Sequence, residues 1–359
     1  LLLIIFLFRV YLTRVSSEYT FNLLFLIVGI LFLVKGADYF VASASAIARK
    51  LKISPIIIGL TVVSFGTSAP ELAVAIAASL KGDSGLALSN VVGSNIANAT
   101  LVLGLSVVAA PILVKKSIVK SDLPFLLITT ILLLIFSLDN LFSGFTGIQN
   151  SLSRGESFIF LAGIILFCIL SIQRVKKEEP TLKEENAEMK DKEQLSGIKI
   201  ILLLVVGLIG IIAGAEFVTT PASLIATSIG ITLGVEQEAM KNLVGLTIVA
   251  VGTSLPELVT SLVAAKKKEN EIALGNVVGS NIFNILFICG ISGLITPLTI
   301  SNDILTDMVI SLVLTVLVLW FSKKGKLGRG QGCILLLCYI LYLMYIGLRL
   351  FYPMLVLPV

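Results

Sequence analysis

The chain has 359 residues, 57% of them hydrophobic and 14% charged, with a mean hydropathy of +1.04 and a formal net charge of +5. Soluble domains carry about 25% charged residues, so this composition leaves too little polar surface for a soluble enzyme, a nucleic-acid-binding domain or a disordered chain. No His is present, which removes imidazole metal sites, His general bases and Ser-His-Asp triads. What remains is an all-α, polytopic membrane protein.

In chain order, residues 1–20 open with the apolar run LLLIIFLFRVYL, too short to span a bilayer by itself. The tail of a signal sequence, an additional helix or a short interfacial segment would each fit it. A hydrocarbon core about 30 Å thick takes roughly 20 apolar residues per helix. On that measure the sequence predicts ten spans, near residues 21–44, 54–80, 85–110, 122–139, 154–172, 198–220, 242–265, 271–297, 303–321 and 330–351. Residues 173–197, QRVKKEEPTLKEENAEMKDKEQLSG, are dense in mixed charge with little to bury. They read as a solvated linker between two five-helix halves, 21–172 and 198–359. Cys168, Cys289, Cys333 and Cys338 lie in apolar stretches without CxxC spacing and read as small core or lipid-facing residues.

Lys and Arg set orientation, because positively charged loops stay in the cytoplasm. Alternate loops sort cleanly. One side collects Arg49, Lys50 and Lys52; Lys115, Lys116 and Lys120; the linker; Lys266, Lys267 and Lys268; and Lys323, Lys324, Lys326 and Arg329. The other side holds scattered charges such as Lys81, Arg154, Lys241 and Arg349. The linker is therefore expected in the cytoplasm and both ends of the ten-helix body outside.

The sequence also repeats itself. Residues 59–72, GLTVVSFGTSAPEL, match residues 245–258, GLTIVAVGTSLPEL, at 10 of 14 positions. Residues 86–98, LALSNVVGSNIAN, match residues 272–284, IALGNVVGSNIFN, at 10 of 13, with the same offset of 186. Upstream, Gly36-Ala37-Asp38 aligns with Gly214-Ala215-Glu216 at an offset of 178, which places about eight extra residues near 234–241. Five helices per copy is an odd number, so the second copy enters the membrane from the opposite side, the inverted-repeat architecture of secondary transporters.

Both GTS-x-PE segments fall mid-span. Pro70 and Pro256 remove a backbone donor and free a carbonyl about a turn earlier, which makes the backbone oxygens near Ser64 and Ala250 further candidates for holding a cation. Thr67 and Ser68 lie four and three positions before Glu71, on one helix face, and Thr253, Ser254 and Glu257 repeat the pattern. On the next helix Ser94 and Asn98 are four apart, as are Ser280 and Asn284. Every group is an oxygen donor, a hard-cation set suited to Ca²⁺ or Na⁺ and unsuited to Zn²⁺ or Cu²⁺. Two Glu would balance one Ca²⁺, and Na⁺ can use the same cage, so competition at one site gives exchange.

Plainer roles exist for each residue. Glu71 and Glu257 could be protonated structural carboxyls, but a carboxyl at mid-membrane is costly, and its repetition favours function. The hydroxyls could bond back to their own helices, and the Asn residues could bridge helices. Asn95 and Asn281 are assigned to packing or orientation, and Gly66, Gly93, Gly252 and Gly279 to close helix approach. Asp38, Glu216 and Lys35 lack a repeated polar neighbourhood and read as paired or interfacial. An intramembrane hydrolase has no Ser-Lys, paired Asp or metal-His constellation to support it, and a channel does not account for the inverted repeat.

GTSAPEL with SNVVGSNIAN, and GTSLPEL with GNVVGSNIFN, closely resemble the two alpha-repeats of the cation/Ca²⁺ antiporter superfamily, specifically its prokaryotic sodium/calcium exchangers. The resemblance runs from about residue 21 over nearly the whole chain. It implies a transporter that extrudes Ca²⁺ using inward Na⁺ flow by alternating access, with no enzymatic activity, no cofactor and no nucleic-acid partner, in a prokaryotic inner or plasma membrane. It also implies that Thr67, Ser68, Glu71, Ser94, Asn98, Thr253, Ser254, Glu257, Ser280 and Asn284 hold the ions. Asn284 stands where many members, potassium-dependent ones included, have Asp, which weakens the case for K⁺ cotransport. Electrogenic Na⁺/Ca²⁺ antiport is the leading expectation, and H⁺/Ca²⁺ exchange at the same Glu pair is the alternative.

Overall fold

The computed structural model describes residues 19–139, 150–187, 196–232 and 250–351, and almost all of them are helical. The opening segment, the extra residues near 234–241 and the start of the span expected at 242–265 lie outside the described residues. In chain order the helices are α1 (Tyr19–Leu51), α2 (Pro55–Thr67), α3 (Ala69–Leu80), α4 (Ser84–Ala109), α5 (Ile118–Phe136), α6 (Arg154–Ala187), α7 (Gly197–Thr232), α8 (Ala250–Thr253), α9 (Leu255–Lys266), α10 (Asn270–Ile295), α11 (Asn302–Ser322) and α12 (Arg329–Phe351). Eight helices among the described residues are long and apolar enough to cross a membrane, nine when the bent pair α2 and α3 counts as one span. The protein is therefore an integral membrane protein.

Three boundaries differ from expectation, the first being that α1 runs to Leu51 instead of ending near residue 44. The backbone of α6 continues helically to Ala187, past residue 172, because Lys, Glu, Leu and Ala are good helix formers even where no apolar face exists. Likewise α7 runs through Pro221 to Thr232 instead of stopping near residue 220.

α4 and α10 are the most enclosed spans, and they carry the core. Around them, α1 packs along α7 through glycine. A Cβ on Gly36 would sit 2.8 Å from the Gly207 carbonyl oxygen, and one on Gly214 would sit 2.8 Å from that of Gly29. With no hydrophobic drive separating helix from lipid, such small residues let two backbones gain dispersion contact.

Four two-residue strands tie loops of one half to loops of the other: Ile112–Leu113 pairs antiparallel with Lys326–Leu327, and Ser151–Leu152 with Leu298–Thr299. The first pair shares its end of the molecule with ion pairs Lys115–Glu271 (2.7 Å) and Arg49–Glu269 (3.9 Å). There Glu271 also takes the Ser54 hydroxyl (2.5 Å) and the Ile56 N–H (3.3 Å) at the start of α2. At the other end Ser84 meets Thr299 (2.8 Å), and Thr296 donates to the Ser79 carbonyl (3.0 Å). These contacts gather the loops near residues 49–54, 112–115, 269–271 and 326–327 at one end and those near 79–84, 151–152 and 296–299 at the other.

Candidate cation site

Two helix breaks meet in the interior. Between α2 and α3, Ser68 leaves helical geometry (φ −82°, ψ 9°), and the two segments bend by 48°. Between α8 and α9, Ser254 does the same (φ −87°, ψ 3°). Pro70 and Pro256 sit in the first turn of the new helix, where the missing N–H has no intrahelical acceptor to lose. Each break sets the carbonyl-bearing end of one helix beside the first turn of the next, and that turn holds Glu71 or Glu257, a favourable place for a carboxylate.

Nine of the ten candidate side chains are buried, with both carboxylates at 0% exposure, and Thr253 is half-buried at the end of α8. Ser94 reaches Glu71 Oε1 at 3.4 Å, and Ser280 reaches Glu257 Oε1 at 3.4 Å. Ser68 crosses from the first break to donate to Glu257 Oε1 at 2.8 Å. Thr67 donates to Asn276 Oδ1 on α10 at 3.0 Å. Neither of these last two bonds stays on its own helix, unlike that of Ser64, whose hydroxyl returns to the Leu60 carbonyl at 2.8 Å.

The Ser64 carbonyl is not the one that proline frees. It accepts the Ser68 N–H at 3.0 Å and lies 3.4 Å from the Thr67 hydroxyl. By α-helical spacing the acceptor that Pro70 leaves without a donor is Gly66. Ala250 opens α8.

At the centre of α4 and α10, Asn95 and Asn281 exchange bonds. Asn95 Nδ2 donates to the Asn281 carbonyl at 3.4 Å, and Asn281 Nδ2 to the Asn95 carbonyl at 3.2 Å. Asn284 Nδ2 donates to Asn95 Oδ1 at 3.0 Å. Both Asn98 and Asn284 begin a π-helical turn, a local loosening frequent at functional positions.

Among the ten candidate side chains, Glu71 Oε2, Glu257 Oε2, Asn98 Oδ1 and Nδ2, Asn284 Oδ1 and Ser254 Oγ are buried without a hydrogen-bond partner among the described residues. Leaving such a group unmet costs about 1–3 kcal/mol each, more when it is charged. Among the described residues no group of three or more Asp, Glu or Cys side chains could hold a metal. A cation taken here is therefore met by two carboxylates and neutral oxygens.

The glycine expectation holds at Gly279, where a Cβ would lie 2.7 Å from the Leu60 carbonyl oxygen; around Gly93 nothing among the described residues lies within 4 Å, and the repeat counterpart of Leu60, Leu246, lies outside them. Asp38 pairs with Lys267 at 2.7 Å, and Glu216 accepts the Thr220 hydroxyl at 2.7 Å. Sequence reasoning missed Asn90 and Asn276, whose amides donate to the backbone carbonyls of Glu71 and Glu257, each at 3.3 Å. Their signal was present: 90, 94 and 98, like 276, 280 and 284, share one face at four-residue steps.

Comparison with known proteins follows the same lines. The family model described as sodium/calcium exchanger protein matches residues 21–173 and 199–348. The sodium/calcium exchanger MaX1 of Methanosarcina acetivorans is 34% identical over 350 residues, covering 90% of this chain and 98% of that protein. The inner membrane protein YrbG of Escherichia coli is 34% identical over 316 residues, covering 86% and 92%. A solved structure of the sodium-calcium exchanger NCX_Mj, soaked with Na⁺ and Sr²⁺, aligns with a TM-score of 0.76 and 30% identity over 91% of this chain and 99% of that one.

Proposed function

The chain belongs to the sodium/calcium exchanger family, and on that premise we propose that it is an electrogenic, K⁺-independent antiporter that exchanges Na⁺ for Ca²⁺ by alternating access. The observation that carries this is the set of buried oxygens without partners around Glu71 and Glu257. Their unmet cost is offset when a cation occupies the centre.

The spacing supports a divalent ion. Two oxygens each about 2.4 Å from one Ca²⁺ and at right angles to it lie about 3.4 Å from one another. That is the separation of Ser94 from Glu71 and of Ser280 from Glu257, and it is long for a hydroxyl hydrogen bond. We assign the ions to Thr67, Ser68, Glu71, Ser94 and Asn98 and to Thr253, Ser254, Glu257, Ser280 and Asn284. The carbonyl-bearing ends of α2 and α8 add negative potential. Two carboxylates neutralise one Ca²⁺, and Na⁺ ions compete for the same oxygens. Asn284 brings no third charge, which leaves no balance for K⁺.

In this reading ten spans form two inverted halves, 21–172 and 198–359, with the 173–197 linker in the cytoplasm and both ends of the body outside a prokaryotic cell membrane. The reciprocal Asn95–Asn281 contact, between residues one repeat offset apart, is what a two-fold relation between the halves requires.

The test is flux. Proteoliposomes loaded with Na⁺ and diluted into Na⁺-free medium should take up Ca²⁺, with a potential-sensitive dye reporting net charge movement. Glu71→Gln and Glu257→Gln should abolish uptake. No Na⁺-driven uptake by the unaltered protein, or uptake driven by a pH gradient alone, would overturn Na⁺ coupling; the second result would identify H⁺ as the counter-ion.

A further inference from the structure

We infer that Asn276 is a positioning residue for the cation: it takes the Thr67 hydroxyl hydrogen and so turns that oxygen's lone pairs toward the ion. The inference rests on the reading of Thr67 and Glu257 as ion ligands.

Asn276 is fully buried on α10, one turn before Ser280 and two before Asn284. Its Nδ2 donates to the Ser261 hydroxyl at 2.9 Å and to the Glu257 carbonyl at 3.3 Å. An amide nitrogen has two hydrogens, and both are spent. Flipping the amide would set its oxygen against the Glu257 carbonyl oxygen, acceptor facing acceptor. Oδ1 is therefore held on the other side, where it accepts from Thr67 at 3.0 Å.

A hydroxyl has one hydrogen and two lone pairs. Left to rotate, it would present that hydrogen to a cation part of the time, and a partly positive hydrogen repels a cation. With the hydrogen committed to Asn276, only lone pairs face the centre. Two acceptors compete: the Ser64 carbonyl lies 3.4 Å away, outside the usual O–H···O range, and the Glu257 carboxylate, which also faces the Thr67 hydroxyl, is taken up by the cation once it is bound.

The arrangement also joins the halves. Thr67 is on α2 and Asn276 on α10, and these two backbones approach closely at Gly279, where a Cβ would sit 2.7 Å from the Leu60 carbonyl oxygen. The ligand is aligned only while α2 lies against α10. In the first half, Asn90 makes the matching bond to the Glu71 carbonyl at 3.3 Å. Position 75, however, is Ala where its counterpart 261 is Ser, so the Asn90 amide lacks that second anchor.

The test is a mutant cycle read as the Ca²⁺ concentration for half-maximal Na⁺-driven uptake in proteoliposomes. Asn276→Ala and Thr67→Val should each raise it about tenfold, while the double variant stays within about twofold of Thr67→Val alone. In a Thr67→Ser background, which keeps the hydroxyl, Asn276→Ala should regain its full effect. If Asn276→Ala does not fold, Ser261→Ala releases the same amide and enters the same cycle, with an expected rise of about threefold that vanishes beside Thr67→Val. Effects that multiply in the double variant, or an Asn276→Ala effect that is the same beside Thr67→Val and Thr67→Ser, would overturn the positioning role. Full transport by Glu257→Gln would instead overturn the ion-site reading beneath it, so the two failures are separable.

Discussion

The two copies of the central motif are nearly identical in sequence and unlike in their contacts. The Ser68 hydroxyl donates to Glu257 Oε1 at 2.8 Å, while its counterpart Ser254 faces Glu71 without a hydroxyl hydrogen bond of that quality. Asn284 is bonded to Asn95 at 3.0 Å, while both polar atoms of its counterpart Asn98 are unpartnered. Gly279 lies against the backbone of α2, while nothing among the described residues lies within 4 Å of its counterpart Gly93. Identical residues cannot by themselves account for unlike bonds. The difference comes from how the neighbouring helices are disposed, so the asymmetry belongs to the conformation and not to the composition of the site.

The largest effect that could break this comparison is at the carboxylates. Glu71→Gln and Glu257→Gln should each lower Na⁺-driven Ca²⁺ uptake more than about a hundredfold, because each removes a charge-bearing ligand. If one variant retained a tenth of the activity, the two halves would differ in chemistry as well as in shape. Next come the glycines. Gly279→Ala should destabilise the detergent-solubilised protein by about 1–3 kcal/mol, as overpacking does, whereas Gly93→Ala should fall within about 0.5 kcal/mol. Equal shifts in thermal unfolding would show that the crowding is not real.

The serines should separate by less. Ser68→Ala loses a buried bond to a carboxylate and should cost about 1.5–3 kcal/mol in ion-free protein, against less than about 1 kcal/mol for Ser254→Ala. With saturating Ca²⁺ that gap should close, since both oxygens then have the ion; thermal melts with and without Ca²⁺ measure it. The smallest effect is expected at the exposed Asp38–Lys267 pair, 2.7 Å apart. Lys267→Ala should shift stability by no more than about 1 kcal/mol and leave uptake unchanged. A large loss of uptake would move that pair into the transport pathway.

Much of this was legible in the residues. Eight to nine of the ten expected spans followed from run lengths of apolar residues, and the two broken helices from Pro70 and Pro256 in mid-span. The ten candidate side chains were singled out because repetition at a fixed offset is hard to produce by packing alone, and nine of them are buried. What could not be read was which hydroxyl bonds to which carboxylate. Ser68 and Ser254 have the same local sequence, and the partner of Ser68 lies in the opposite half, 189 residues away. Asn90 and Asn276 were legible as the first members of their polar faces, but their bonds to the Glu71 and Glu257 carbonyls depend on how neighbouring helices pack. The helical run of α6 to Ala187 escaped notice because backbone propensity there acts without an apolar face to mark it.

The π turns at Asn98 and Asn284 carry a consequence in arithmetic. Bonding from i to i+5 inserts one residue into the turn, which rotates everything beyond it by about 100° relative to an uninterrupted helix. α4 therefore consists of two rods of different phase. The first presents Asn90, Ser94 and Asn98 to the centre; the second sets Gly104 against Gly332 and Leu336 of α12. α10 repeats the device, with Gly290 against Leu161 and Ser157 of α6. Deleting a single residue from either turn would leave every ligand in place and still ruin the protein, because the face that holds the ion and the face that packs the bundle would no longer be aimed at their separate targets.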